Sequence, residues 1–199
     1  AEYVSDDYYN YRLSRTERIE IAAGLLINSI GFSTLSTIAD FLYVSRVTII
    51  NDLNDIKKCL SDSGMNLISQ SCKGMKVEGS EESKRMFFMK MSQLNLVFLV
   101  NNEIENEPDY DIVDLQHILR KILNEQEHVH GLFFTDKSFE KTIRYLSILV
   151  NRIKHGEYME QIARVQNEYY EFAQDILRFI VQYCHIQLTE NEIVYFSQF

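Results

Sequence analysis

The 199-residue sequence predicts a mainly α-helical protein in two parts: short helices closed by one β-hairpin, then an all-helical bundle. Three observations carry that prediction. Apolar residues recur at three- and four-residue spacing through most of the chain, the mark of helices with one buried face. The period shortens to two only between Asn66 and Gly79, where Lys73-Gly74 suits a tight hairpin. An Asn- and Glu-rich run from Asn101 to Pro108, ending in the one proline of the chain, separates the two parts.

Taken in order, residues 1–13 are rich in Tyr and Asp without helical period and read as a linker or tail. Ser14 with Glu17 three residues on has capping-box spacing. The helix that follows lines up Ile19, Ala22, Ala23, Leu26 and Ile30 and is expected to end at Gly31. Ser33 or Thr34 caps a short helix with Leu35, Ile38, Ala39 and Leu42 inward. Tyr43-Val44 turns the chain and Ser45 caps a third helix. Its inward set is read as Val47, Ile50, Leu53, Ile56 and Leu60, with Arg46, Thr48, Asn51, Asp52 and Asp55 on other faces. Strands are expected at 66–72 and 75–79. Three helices followed by two strands is the winged-helix order.

Ser80 opens another helix to Val100, with Glu81 and Glu82 set against its dipole. Beyond Pro108 four helices are expected, at 109–125, 136–155, 158–184 and 190–199. Gly156 closes the second and Thr189 caps the last, with Glu192 as a capping acid. Tyr169, Tyr170 and Phe172 read as core aromatics on the third. The division is therefore 1–13 tail, 14–79 winged helix-turn-helix domain, 80–107 connecting helix and linker, and 108–199 helical domain. The chain begins with Ala and ends at Phe199 inside an apolar stretch, so a piece of a longer polypeptide is expected, truncated within the helical domain.

Composition bounds the function. An apolar share of 46% is enough for a real core, yet no run approaches the roughly 20 apolar residues of a membrane span. Cys59, Cys72 and Cys184 lack CxxC spacing, which fits a reducing cytoplasm. The net charge of −9 opposes phosphate binding, but its distribution is uneven. From Arg12 to Gly79 eight Lys/Arg face seven Asp/Glu, so the surplus acid lies elsewhere. His128-Val129-His130 has no third ligand at useful spacing and reads as a solvated loop, not a metal site. Glu103, Glu105 and Glu107 form an acidic linker. No nucleophile–base arrangement stands out, so neither enzymatic activity nor a cofactor is expected.

In a helix-turn-helix the second helix enters the major groove and the residues near its N-terminus meet base edges. Here those are Ser45, Arg46, Thr48 and Asn51. Arg can bond both acceptors of guanine, Asn can bond adenine twice, and Ser or Thr can reach phosphate. Thr34 at the preceding helix start and Lys73 at the wing tip complete the candidate DNA contacts. Lys57 and Lys58, near the far end of the helix, suit its dipole as well as they suit DNA.

The run from Arg18 through Leu25-Leu26, Leu35 and Ile38-Ala39-Asp40-Phe41-Leu42-Tyr43-Val44-Ser45-Arg46-Val47-Thr48-Ile49 to Asp52-Leu53 carries a resemblance. So does Lys73-Gly74-Met75-Lys76-Val77-Glu78-Gly79-Ser80-Glu81 with Arg85. Together they resemble the second helix-turn-helix of multidomain bacterial transcription regulators with PTS regulation domains, the BglG-like and mannitol-operon-activator type, related to Mga/AtxA-like virulence regulators. Leu146, Arg152-Ile153, Gly156 and Glu192-Ile193-Val194-Tyr195-Phe196 resemble a PTS regulation domain, an all-helical module that tends to dimerise. The resemblance implies a cytoplasmic regulator acting on double-stranded DNA, a homodimer, and phosphotransferase-system proteins as partners of the full-length chain. It places phosphate-accepting histidines where this sequence has Tyr145 and Phe199, which implies that phosphate sensing is lost here and a dimerisation or relay role kept. Two other readings stay open: a winged helix that binds protein while a missing upstream domain binds DNA, and an RNA-binding antiterminator. No strand-rich RNA-binding segment precedes the helices to favour the latter.

Overall fold

The computed structural model describes residues 13–29, 31–92, 112–161 and 167–199. Helix α1 (Arg15–Asn28) starts on a capping box: the Ser14 hydroxyl accepts from the Glu17 amide while the Glu17 carboxylate accepts from the Ser14 amide. Every residue from Ile21 to Asn28 is buried, so this helix is enclosed on all sides rather than along one stripe. It ends at Asn28, not at Gly31. The Ser29 hydroxyl bonds the Leu25 carbonyl and accepts from Ser33, drawing the chain out of the helical path. Ile30 lies outside the described residues.

Thr34 caps α2 (Leu35–Phe41), and Ser45 caps α3 (Arg46–Asp62). Between them Tyr43 takes a left-handed backbone (φ 52°), which makes the turn sharp. Strands β1 (Asn66–Gln70) and β2 (Gly74–Glu78) pair antiparallel from Asn66↔Glu78 to Gln70↔Gly74. The connection is the three-residue Ser71-Cys72-Lys73, not a two-residue turn at Lys73-Gly74. Cys72 and Gly74 both hold positive φ there. Ser33 adds a bridge to the free edge of β2, exchanging two 2.7 Å backbone bonds with Met75. Ile21, Leu26, Ile38, Ile49, Ile56, Leu60, Met65, Met75 and Val77 form the core beneath this hairpin.

Ser80 caps α4 (Glu81–Lys90), whose expected continuation to Val100 lies outside the described residues, as do the linker at Asn101–Pro108 and residues 1–12. Helices α5 (Ile112–His130), α6 (Asp136–Lys154), α7 (Tyr170–Cys184) and α8 (Glu190–Gln198) follow. The expected helix at 158–184 begins at Tyr170, since residues 157–161 are non-helical. Thr189 stands at the start of α8 without a side-chain cap bond. The second core gathers Leu119, Leu123, Leu146, Leu149, Phe172, Ile176, Leu177 and Ile180. Phe172 is buried there, but Tyr169 points outward. His128 and His130 lie in the last turn of α5, not in a loop, and His130 sits 3.1 Å from Asp175.

The two cores meet along α4 and α6. Ile148 of α6 belongs to the first cluster while its neighbours Leu146 and Leu149 belong to the second. Arg144 of α6 donates to the Phe88 and Met91 carbonyls at the end of α4, where a cation also complements the helix dipole.

Candidate nucleic-acid interface

Helix α3 is oriented by its buried face, and that face differs from the one its periodicity suggested. Ile49, Asp52, Ile56 and Leu60 point inward, whereas Val47 and Ile50 are exposed. The cause is Asp52. A carboxylate on the inner side is tolerable only when paired. Here Arg18 donates to one oxygen at 2.6 Å and Arg15 to the other at 3.0 Å. Burial alone would push the Asp52 pKa up; the two guanidinium bonds and their charges reverse this and hold it below its ordinary value. Arg15 also reaches Asp55 at 2.6 Å. Two of the arginines counted toward a basic surface are therefore occupied inside the domain.

The predicted contact residues occupy two kinds of position. Ser45 and Thr48 bond each other at 2.8 Å, and the Ser45 hydroxyl accepts from the Thr48 amide, so both serve the helix cap. Thr34 does the same for α2, accepting from the Thr37 amide. Arg46 and Asn51 are exposed and held by no side-chain bond among the described residues. Lys57 and Lys58 are exposed about two turns beyond Asn51. Lys73, in the hairpin connection, lies 6.0 Å from the centre of the Phe32 ring. The arrangement offers a capped helix N-terminus with an amide and a guanidinium facing out, and a hairpin whose connection carries a cation.

A second constellation, unanticipated from sequence, ties this unit to the helical domain. Glu192, read as a capping acid, is fully buried and bonds both terminal nitrogens of Arg85, at 2.6 and 2.9 Å. It also accepts the Met159 amide at 2.9 Å. Glu81, read as a dipole partner, accepts from Arg85 at 3.0 Å and takes two 2.8 Å bonds from Arg152. Arg152 continues to the Asn28 side chain at 2.6 Å. Two carboxylates and two guanidiniums thus form a neutral ladder from the end of α1, through α4 and α6, to α8. Burial raises the Glu81 pKa, but the Arg152 and Arg85 bonds outweigh it and the net shift is down. Burial likewise disfavours charge on Arg85, and Glu192 more than restores it. The sequence signal existed: Arg85, Arg152 and Glu192 all lie in the quoted motifs, but spacing cannot reveal partners more than 60 residues apart.

Tyr145 and Phe199 come together beside that ladder. Their rings stack with centroids 4.3 Å apart, and Tyr195 and Phe196 also stack with Tyr145, at 5.9 and 5.8 Å. The buried Tyr145 hydroxyl accepts from Arg85 at 3.2 Å. Burial pushes its pKa upward, with Arg85 opposing only in part. A cavity of about 450 Å³ opens at this end, walled by Phe134, Ser138, Lys141, Thr142, Phe172 and Phe199. The Lys141 ammonium lies 4.0 Å over the Phe199 ring.

Comparison with known proteins follows the same division. An Mga helix-turn-helix domain matches residues 20–91 and a PRD domain matches residues 120–199. The chain is similar to the transcriptional regulator ManR of Bacillus subtilis (strain 168), 26% identical over 197 residues, covering 94% of this chain. It spans 29% of the length of that relative. Among the described residues no helix is long and apolar enough to cross a membrane. Uniting a segment that matches the Mga helix-turn-helix domain with one that matches the PRD domain, the chain has the domain make-up of a PTS-regulated transcription regulator.

Proposed function

We propose that this chain binds operator DNA as a homodimer in the cytoplasm, in a non-enzymatic role. The winged helix-turn-helix at 14–79 reads the duplex, residues 80–107 connect, and the helical domain at 108–199 sets the separation of two recognition helices. In the full-length protein that domain answers to sugar-phosphotransferase proteins. The observation that supports this best is the outward face of α3, where Arg46 and Asn51 stand unoccupied on a helix whose roll is fixed by Asp52. Arg46 and Asn51 suit guanine and adenine edges, and Thr34, Ser45, Thr48 and Lys73 suit phosphates. With Tyr145 and Phe199 packed in an aromatic stack, this domain relays a signal rather than accepting phosphate itself.

Fluorescence anisotropy with duplex DNA, titrated at several salt concentrations, tests the reading. Binding is expected to weaken linearly in log salt. Arg46→Ala with Asn51→Ala is expected to cost about 2 kcal/mol or more, the scale of one or two base contacts. Sedimentation should give a dimer.

A second reading draws on the exposed Tyr43, Val47 and Ile50: the winged helix docks on protein and an upstream domain binds DNA. A flat salt dependence, with wild type and double variant alike, would favour it.

A further inference from the structure

The exposed face of α3 is not purely polar. Val47 is 64% exposed and Ile50 50% exposed, while the helix already fills its core side with Ile49, Ile56 and Leu60. At 3.6 residues per turn, Arg46, Val47, Ile50, Asn51 and Asn54 fall within an arc of roughly 140°, opposite the buried face. The Asp52 bonds to Arg18 and Arg15 hold that roll in place, so the two apolar side chains are displayed by a fixed helix. Both are β-branched and stiff at χ1, presenting methyl groups at defined positions.

Resting on the reading of α3 as a groove-binding helix, we infer that Val47 and Ile50 are specificity contacts that recognise the C5-methyl groups of thymine in duplex DNA. The thymine methyl is the apolar group that a base pair offers in the major groove. Val47 and Ile50 sit between Arg46 and Asn51 in sequence and on the same face, so a base pair next to one read by hydrogen bonds falls under them. Charge selects this occupant over an apolar protein: Arg46 precedes the pair, and Lys57 and Lys58 follow on the exposed side of the same helix. Cations there complement phosphates.

The test uses a duplex recovered from a random pool by this chain, and a copy in which deoxyuridine replaces thymidine in the site. That exchange turns each methyl into hydrogen and keeps base pairing. Wild type should bind the thymine duplex more tightly, by about fourfold for each contacted methyl, the equivalent of one buried methylene. Val47→Ala and Ile50→Ala should each lose affinity for the thymine duplex and match wild type on the uracil duplex. Both positions are exposed, so unchanged thermal melting by circular dichroism is the control for folding. Indifference of wild type to the exchange, or a preference undiminished in both variants, overturns the inference while DNA binding stands. Variants that keep the preference but lose self-association in sedimentation would make this face a protein interface and overturn it equally. A chain that recovers no duplex at any salt removes the DNA reading itself, and the inference falls with it.

Discussion

Glu192 holds Arg85 by two parallel bonds with both side chains fully buried, and the consequence is an asymmetry between ways of breaking the pair. Removing one partner leaves a buried charge short of compensation, which costs about 3–5 kcal/mol. Glu192→Gln keeps the shape and should fall near the lower end, read as a drop in the urea midpoint at unchanged slope. Tyr145→Phe keeps the aromatic stack and deletes only the oxygen that accepts from Arg85. Its cost should be about 1.5–3 kcal/mol, the range for a hydrogen bond to a charged group. If Tyr145→Phe proved as damaging as Glu192→Gln, the ladder would not be the dominant interaction at this junction. Asp52 is the same argument in the winged helix: its carboxylate pins α3 to the start of α1 through Arg18 and Arg15.

At the scale of elements, the wing depends on one close approach. A Cβ on Gly74 would lie 2.3 Å from the Ser33 carbonyl oxygen, and Gly74 holds φ 110°. Gly74→Ala therefore meets both backbone contact and a forbidden conformation, so it should destabilise by more than about 1 kcal/mol. It should also break the Ser33 bridge, seen as faster amide exchange at Ser33 and Met75; exchange unchanged there would show that the hairpin can yield without loss. The elements themselves were largely legible. Ser14, Thr34, Ser45 and Ser80 start helices because a hydroxyl before an apolar run satisfies an otherwise open amide, and that signal is local. What spacing could not show was the roll of α3. Val47, Ile50, Leu53, Ile56 and Leu60 fit a helical stripe as well as Ile49, Asp52, Ile56 and Leu60 do, and an aspartate counts against burial until its arginines are known. The same limit hid the ladder, whose members are local puzzles and only jointly neutral. Arg46, Asn51 and Lys73 were nominated by residue type, and the structure adds where they stand rather than what they touch.

Across the whole molecule, the ladder ties together two hydrophobic cores that also meet along α4 and α6. Its acid dependence has a definite sign. Glu81 and Asp52 both have folded pKa values below their ordinary 4.5 and 3.8. Their stabilisation is complete above those values and is lost as pH falls through them toward the lower folded values. Glu81→Gln should therefore be less stable than wild type at pH 7, with the gap narrowing as pH falls below the ordinary 4.5 of a glutamate; a stability gap that stayed constant on acidification would show that Glu81 does not carry this dependence. Finally, the ladder bears on how such a chain can be recombined. Asn28, Glu81, Arg85, Arg152 and Glu192 come from four helices across the length of the described chain, so the helical domain is not a cassette that can be exchanged at the linker. A chimaera cut after Ser80 and fitted with a foreign sensor inherits Asn28 alone from the five. Unless the donor brings its own matching acids and arginines, the graft strands that asparagine and leaves the recognition helix deaf to whatever the new domain senses.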